Sequence, residues 1–240
     1  MTRPSSPTTT MGTRNSSSNS SSTGLWEHRF HLISEAIGAD YRAGVNRVAD
    51  ASHSVDPFHV LVSTVISLRT RDEVTFPASA RLLARAGSAQ EMALLPPEEI
   101  ASLIYPAGFY RNKAKNLSRI ANILVNTAGG TVPNTLEGLI ALPGVGRKTA
   151  NLVLGIGFGI PAICVDIHVH RIPNRLGWIA TKTPEQSELA LMEIVPEQFW
   201  IPMNQWLVGF GQKICTPRSP WCSRCPLEDV CPKIGVDHHR

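Results

Sequence analysis

No run of apolar residues in this chain reaches the roughly 18 that a transmembrane helix needs, so the sequence predicts none. The N-terminus also lacks the apolar core of a secretory signal peptide. Residues 1–24 contain no acidic residue and few apolar ones, and such a composition cannot bury enough surface to offset the entropy lost on ordering. We therefore expect a disordered tail over residues 1–24 of an intracellular protein, with a transit peptide as the alternative for that stretch.

Strand signals are scarce as well, because no alternating apolar run is flanked by a two-residue hairpin turn. Apolar residues recur instead at helical spacing from Leu25 onward, so the predicted fold class is all-α. The predicted helices begin near Leu25, after an Asp56-Pro57 cap and near Asp72, and then run over Ser88 to Leu95, Glu98 to Ile104, Lys113 to Thr127, and from an Asn134 cap to Leu142.

The excess of positive charge is small. A net charge of +4 and a pI near 8.9 suggest an anionic partner, but an ordinary, mildly basic protein has the same values. One stretch carries four basic residues and no acidic one, namely Arg111, Lys113, Lys115 and Arg119. It predicts either a track for nucleic-acid phosphates or a solvated helix face.

Cysteine is also rare, and four of the five cysteines lie close together near the C-terminus, at Cys215, Cys222, Cys225 and Cys231. Four thiolates can hold one metal centre. One tight C-x2-C pair flanked by longer gaps favours a 4Fe-4S cluster, and zinc is the alternative. The fifth, Cys164, lies in an apolar run and is predicted to be a buried side chain without function. The odd, clustered count argues against a disulfide framework and for a reducing compartment.

Leu142 to Ala150 read L-P-G-V-G-R-K-T-A between two apolar helical stretches, a pattern typical of a helix–hairpin–helix. Gly144 and Gly146 permit positive φ, so a tight turn can direct backbone N–H groups at a DNA phosphate. A simple glycine-rich connector is the alternative. Lys148 follows at the start of the next helix. Its neutral amine would be a nucleophile toward C1′ of a deoxyribose, whereas a lysine that contacts phosphate is the ordinary interpretation.

Asp166 follows an apolar stretch and precedes a predicted helix, so we expect it to be an N-cap. A carboxylate held there can also stabilise the oxocarbenium-like transition state of glycosidic cleavage, or accept a proton as a nucleophile attacks. His168 and His170 are two residues apart and do not share a helix face. They are predicted to be structural or to contact DNA, and not to bind a metal.

The hairpin with its lysine, the V-D-x-H segment and the cysteine-rich tail, in this order and at these separations, resemble the endonuclease III family of DNA glycosylases over about Leu25 to Val236. The resemblance implies a helix–hairpin–helix DNA glycosylase fold. A six-helix lobe near residues 50–160 would lie beside a cluster lobe made of residues 25–49 and 161–240, with the 4Fe-4S loop at residues 215–231. Double-stranded DNA with a damaged base or an abasic site would lie in the cleft between them, bound by a monomer.

The implied activity is that of a bifunctional DNA glycosylase and AP lyase that removes oxidised or saturated pyrimidines, with Lys148 as nucleophile and Asp166 as its carboxylate partner. A monofunctional mismatch or adenine glycosylase of the same fold is one alternative, and a non-catalytic DNA-binding iron–sulfur protein is another. The expected location is with the DNA: the nucleoid of a prokaryote, or the nucleus or an organelle of a eukaryote.

The resemblance also implies a set of DNA contacts, and two of them depart from the family's usual residues. Arg69 stands where the best-known members carry a glutamine that fills the gap left by the flipped base, and Phe109 stands where they use a leucine wedge. Both departures leave the lesion range and the opposite-base preference open. The implied DNA-contacting residues are Arg69, Asp72, Phe109, Arg111, Lys113, Gly144, Val145, Gly146, Arg147, Thr149, His168 and Arg171, with Arg218 and Arg224 presented to phosphates by the cluster loop.

Overall fold

The computed structural model describes residues 17–38, residue 41 and residues 56–240, and this part of the chain is helical without any β-strand, which confirms the all-α prediction. No helix within it is both long and apolar enough to cross a membrane. The helices are α1 (Ser17–Ile37), α2 (Pro57–Ser67), α3 (Asp72–Arg85), α4 (Ala89–Ala93), α5 (Pro97–Ile104), α6 (Tyr110–Ala128), α7 (Leu136–Ile140), α8 (Arg147–Leu152), α9 (Ile167–Arg175), α10 (Pro184–Ile194) and α11 (Trp200–Lys213). A π-helical turn, Val153–Gly157, continues α8, and 3-10 turns occupy Glu197–Phe199, Cys222–Arg224 and Glu228–Val230.

Helix α1 begins at Ser17, well before the start predicted at Leu25, so residues 17–24 are helical and the prediction of a disordered tail was wrong for them. The physical reason is cooperativity, because a helix anchored downstream gains one hydrogen bond for each residue added to it. The rest of the predicted tail, residues 1–16, lies outside the described residues, and so does the predicted lobe boundary at 49–50.

The first hydrophobic core is formed by α2 to α8 around α6, whose Leu117, Ile120 and Leu124 are buried. Helix α6 begins at Tyr110, earlier than the predicted Lys113, and ends at Ala128, where the C-cap Gly129 has φ 58°. Asp56 caps α2 as predicted, accepting a hydrogen bond from Phe58 N at 2.8 Å.

One predicted cap was misplaced by a residue. Helix α7 is capped by Thr135, whose Oγ1 accepts from Gly138 N at 3.2 Å, and not by Asn134. Thr135 has the extended backbone that an N-cap requires, so its hydroxyl reaches the third amide of the helix.

The second core joins α1 to α9, α10 and α11. Its centre is aromatic: Phe30 contacts Trp178, Phe199 and Trp206 with ring centroids 5.1–6.0 Å apart. Helix α11 packs against both α1 and α9, and the C-terminal loop with the cysteines folds over the end of this core. The arrangement brings the N-terminal ends of α8 and α9, one from each core, to the same cleft.

Candidate active site in the cleft between the two cores

A cleft of about 710 Å³ lies between the two cores and is lined by residues from both. The first core contributes the loop between α2 and α3 and the start of α8. The second contributes the start of α9 and one face of α10. The lining includes Arg69, Thr70, Asp72, Arg147, Lys148, Asp166, Ile167, His168, His170, Glu188 and Asn204.

Lys148 is the second residue of α8 and is exposed in the cleft. The hairpin before it depends on Gly144, which has φ +75° and whose absent Cβ would overlap the side chain of Asn116. Gly146 has φ −96°, so it does not use the positive φ that a glycine permits. It serves a different purpose, since nothing lies within 4 Å of where its Cβ would be and the backbone there is open to an approaching group. Val145 is buried, and its N–H donates to Leu142 O within the turn.

Asp166 is the N-cap of α9, as predicted, and its Oδ1 accepts from His168 N at 2.8 Å and from Val169 N at 2.9 Å. The extended segment before it is fastened on both sides. Asn151 of α8 donates to Ile163 O at 3.0 Å, and Asn204 of α11 donates to Cys164 O at 3.0 Å. These two asparagines, which sequence reasoning missed, fix the approach of the carboxylate to the helix that carries Lys148.

Cys164 lies beside this segment and is buried, as the sequence predicts for a cysteine in an apolar run. Burial raises the pKa of its thiol to about 12. A buried cysteine whose thiol stays protonated is a poor nucleophile.

Arg147 was predicted to contact DNA, but it forms a two-pronged ion pair with Glu188 of α10. Its Nε lies 2.8 Å from Oε2 and its Nη2 lies 2.9 Å from Oε1. The hydrogen bond to Glu188 raises the pKa of Arg147. Sequence reasoning missed Glu188 because nothing in its local pattern marks it, although its side chain is only 8% exposed. The pair fastens the hairpin of one core to α10 of the other.

Arg69 and Phe109 lie together at the mouth of the cleft, and both have left-handed backbones, with φ 52° and 56°. The Arg69 guanidinium carbon is 5.6 Å from the centre of the Phe109 ring. Phe109 is 61% exposed, so it is not a core residue. Asp72 begins α3 and lines the cleft below Arg69.

Three other predicted DNA contacts are buried or are bonded within the protein. Lys113 is 6% exposed and donates to Ile66 O and Thr70 Oγ1, because its position in α6 shares the buried face with Leu117. The predicted phosphate track therefore lacks Lys113 and retains only the exposed Arg111, Lys115 and Arg119. Thr149 is 1% exposed, since it faces the first core. Arg171 turns toward the cysteine loop and donates to Cys215 O at 2.9 Å.

Both histidines of the segment have partners within the protein, in keeping with a structural role. His168 is half-buried, with Nδ1 3.2 Å from Arg171 Nη2, and burial lowers its pKa while Asp166 opposes that effect. His170 Nδ1 lies 2.6 Å from Ser187 Oγ.

The four C-terminal cysteines line one cavity together with Arg175 and aromatic side chains. In the described part of the chain, no three His, Cys, Asp or Glu side chains converge closely enough to hold a single metal ion. Four cysteine side chains line this shared cavity, and thiolates are the donors that an iron–sulfur cluster takes, so the residue types fit such a group.

Arg175 is the residue near the cysteines that sequence reasoning missed. It is buried, donates to Thr216 O at 2.8 Å and to Pro217 O at 2.6 Å, and lies 3.5 Å from Cys215 Sγ. Its spacing of four residues from Arg171 on α9 could have revealed it, because residues four apart share a helix face.

Comparison with known proteins agrees with this geometry. The family model of the HhH-GPD superfamily of base excision DNA repair proteins matches residues 62–197, so the class of protein is a helix–hairpin–helix DNA repair protein. The chain is 50% identical to endonuclease III of Thermotoga maritima over 187 residues, which cover 78% of this chain and 88% of that protein. It therefore belongs to the endonuclease III family.

Two solved structures of that family, both bound to DNA, are similar to this chain. A non-covalent endonuclease III–DNA complex superimposes with a TM-score of 0.76 at 31% identity, covering 88% of this chain and 95% of that one. A trapped endonuclease III–DNA covalent intermediate, an estranged-adenine complex, has a TM-score of 0.70 at 33% identity, covering 79% and 92%.

Proposed function

We propose that this protein is a bifunctional DNA glycosylase and AP lyase of base excision repair, which removes oxidised or saturated pyrimidines from double-stranded DNA. The observation that carries the proposal is the pairing of an exposed lysine with a helix-capping carboxylate in one cleft. Lys148 is the second residue of α8 and Asp166 caps α9, and the two lie on opposite cores. A trapped covalent DNA complex of a family member accords with a nucleophilic mechanism.

The damaged nucleotide must first leave the base stack, because a duplex hides C1′ from an amine. Nζ of Lys148 then forms a bond to C1′ as the glycosidic C1′–N bond breaks. Asp166 stabilises the positive charge that develops on the sugar and accepts the proton released by the amine. The electron pair of the broken bond leaves with the base, which is protonated.

Ring opening of the sugar converts the adduct into a Schiff base between Lys148 and C1′. Loss of a C2′ proton then expels the 3′ phosphate by β-elimination and cuts the strand. Water releases the lysine from the sugar fragment. The protein acts where the DNA of the cell is. Its exposed basic residues, such as Arg111 and Lys115, approach the DNA phosphates.

We also propose that Cys215, Cys222, Cys225 and Cys231 hold a 4Fe-4S cluster. The cluster's contribution when bound is structural, since it cross-links a proline-rich loop that has almost no core of its own. The exposed Arg218 and Arg224 lie on this loop and face phosphates once it is ordered.

Borohydride trapping on a duplex with one thymine-glycol or abasic site tests the proposal. The wild type should form a covalent protein–DNA adduct, and Lys148→Ala should form none while still binding the duplex. Lys182→Ala, which removes another exposed lysine, is the matched control and should trap normally. Trapping by Lys148→Ala would eliminate the proposed nucleophile, and base release without any adduct would indicate a monofunctional glycosylase.

The same purified sample tests the cofactor. A cluster gives a brown protein with broad visible absorption and about four irons per chain. A colourless, folded protein that contains zinc would contradict the cluster assignment.

A further inference from the structure

Lys113 occupies an unusual place for a lysine, because it lies in the first turn of α6 and is only 6% exposed. The N-terminal end of a helix disfavours a positive charge. The ammonium instead reaches the C-terminal end of α2, where it donates to Ile66 O at 2.6 Å and to Leu68 O. Carbonyls at a helix C-terminus favour a cation, so the C-terminal end of α2 stabilises the positive charge that the N-terminal end of α6 disfavours.

The third proton of the Lys113 ammonium goes to Thr70 Oγ1 at 2.7 Å, so all three of its donors have acceptors. The same Thr70 oxygen also accepts from Gly108 N at 3.0 Å. Two loops meet here, which we call the Arg69 loop (residues 68–71) and the Phe109 loop (residues 105–109). They are in direct backbone contact, since a Cβ on Gly108 would overlap the carbonyl oxygen of Arg69.

Each loop carries one non-glycine residue with a left-handed backbone, Arg69 at φ 52° and Phe109 at φ 56°. Such a conformation costs about 1–2 kcal/mol per residue and persists only where the surroundings enforce it. The hydrogen bonds of Lys113 and Thr70 hold the two loops in place and so enforce these left-handed conformations. The outcome is an exposed ring and a guanidinium held 5.6 Å apart at the mouth of the cleft.

We propose that Lys113, acting through Thr70, is a positioning residue that holds Arg69 and Phe109 together, so that the two side chains enter the duplex as one unit and set discrimination for the base opposite the lesion. The inference rests on the proposed function. It replaces the prediction that Lys113 contacts phosphate, because a buried ammonium with three protein acceptors has no donor left for DNA.

The test compares Lys113→Met and Thr70→Val with Asn126→Met, an exposed control on the same helix. Single-turnover excision is measured with guanine or adenine opposite the lesion, and strand cleavage is measured on single-stranded abasic DNA, which has no opposite base. We expect excision in duplex to fall about tenfold in both variants, since one charged hydrogen bond is worth about that factor. The opposite-base ratio should move toward one, with single-stranded cleavage unchanged.

An equal fall of single-stranded and duplex cleavage would show a general structural role and overturn the proposal. So would a wild-type opposite-base ratio of one, or a ratio unchanged in both variants. Thr70→Val removes only a hydroxyl, which keeps the test valid if Lys113→Met fails to fold.

Amide hydrogen exchange at Gly108 tests, without catalysis, whether Lys113 and Thr70 hold the two loops together. Loss of its acceptor in Thr70→Val, or of the ammonium in Lys113→Met, should speed exchange about tenfold. Unchanged exchange would refute the proposal that Lys113 and Thr70 hold the two loops together. If wild-type protein cleaved neither DNA, the proposed function would fail, whereas the exchange rates would still decide whether Lys113 holds the two loops.

Discussion

The ion pair between Arg147 and Glu188 makes an asymmetric prediction: removing the arginine should destabilise the protein more than neutralising the glutamate. The Glu188 side chain is 8% exposed, whereas that of Arg147 is 40% exposed. Arg147→Ala therefore leaves a carboxylate buried without its partner. Glu188→Gln leaves a guanidinium that water can reach and an amide oxygen that still accepts one hydrogen bond.

The magnitudes follow from this difference in burial. Breaking a fully buried pair costs about 3–5 kcal/mol, and the partial exposure of Arg147 reduces this to about 2–3 kcal/mol for Arg147→Ala. Glu188→Gln should cost about 1 kcal/mol. For a chain of this size, 1 kcal/mol shifts Tm by about 2–4 °C, so the expected losses are about 5–10 °C for Arg147→Ala and about 2–4 °C for Glu188→Gln.

Thermal denaturation followed by circular dichroism measures both shifts, and Arg111→Ala serves as an exposed arginine control. The double variant Arg147→Ala/Glu188→Gln should be more stable than Arg147→Ala alone, because it no longer buries an unpaired charge. The reasoning is refuted if Glu188→Gln costs as much as Arg147→Ala, or if the double variant is the least stable of the three.

Three further predictions concern the site and its supports. Asp166→Asn keeps the acceptor oxygen of the N-cap but loses the charge, so single-turnover excision should fall about 10²-fold or more with little change in Tm; a large drop in Tm would mean that the charge supports the fold. Gly144→Ala should lower the free energy of unfolding by about 1–2 kcal/mol in urea denaturation, because Gly144 has a positive φ. Gly146→Ala should keep that stability but weaken DNA binding, and equal stability losses in the two variants would contradict this difference. Burial lowers the pKa of Lys113 to about 8, so between pH 8 and 10.5 the unfolded chain holds more protons than the folded one. The stability of the wild type relative to Lys113→Met should therefore rise with pH across this range. A stability difference that stays constant would disprove the pKa shift.

The sequence was sufficient to predict features that depend on local chemistry. The cap at Asp166 and the left-handed Gly144 follow from residue type and immediate neighbours, and the structure has both. Helical periodicity was also enough for the fold class. Helix ends were less accurate, because tertiary anchoring extended α1 back to Ser17 and α6 back to Tyr110.

What the sequence could not show is which charged residues face inward. Lys113 and Arg171 lie in basic segments that favour a DNA-facing interpretation, yet both donate to backbone carbonyls of neighbouring elements. A buried cation is recognisable only from its acceptors, and these come from residues distant in the sequence, such as Ile66 and Cys215. For the same reason Glu188 became visible only when α10 was placed beside the hairpin.

Helix α9, an element of nine residues, connects Asp166, the carboxylate that we propose to be catalytic, with the cysteine loop. Asp166 caps its N-terminus, and Arg171 and Arg175 extend from its C-terminal half to the carbonyls of residues 215–217, about 13 Å away along the axis. If that loop lost its order, two half-buried or buried guanidinium groups would lose their acceptors, and the end of α9 would have to move to solvate them. Asp166 caps the same helix, so such a movement would also affect the position of its carboxylate. The metal centre that we propose would therefore support the position of the carboxylate that we propose to be catalytic, without contacting the DNA.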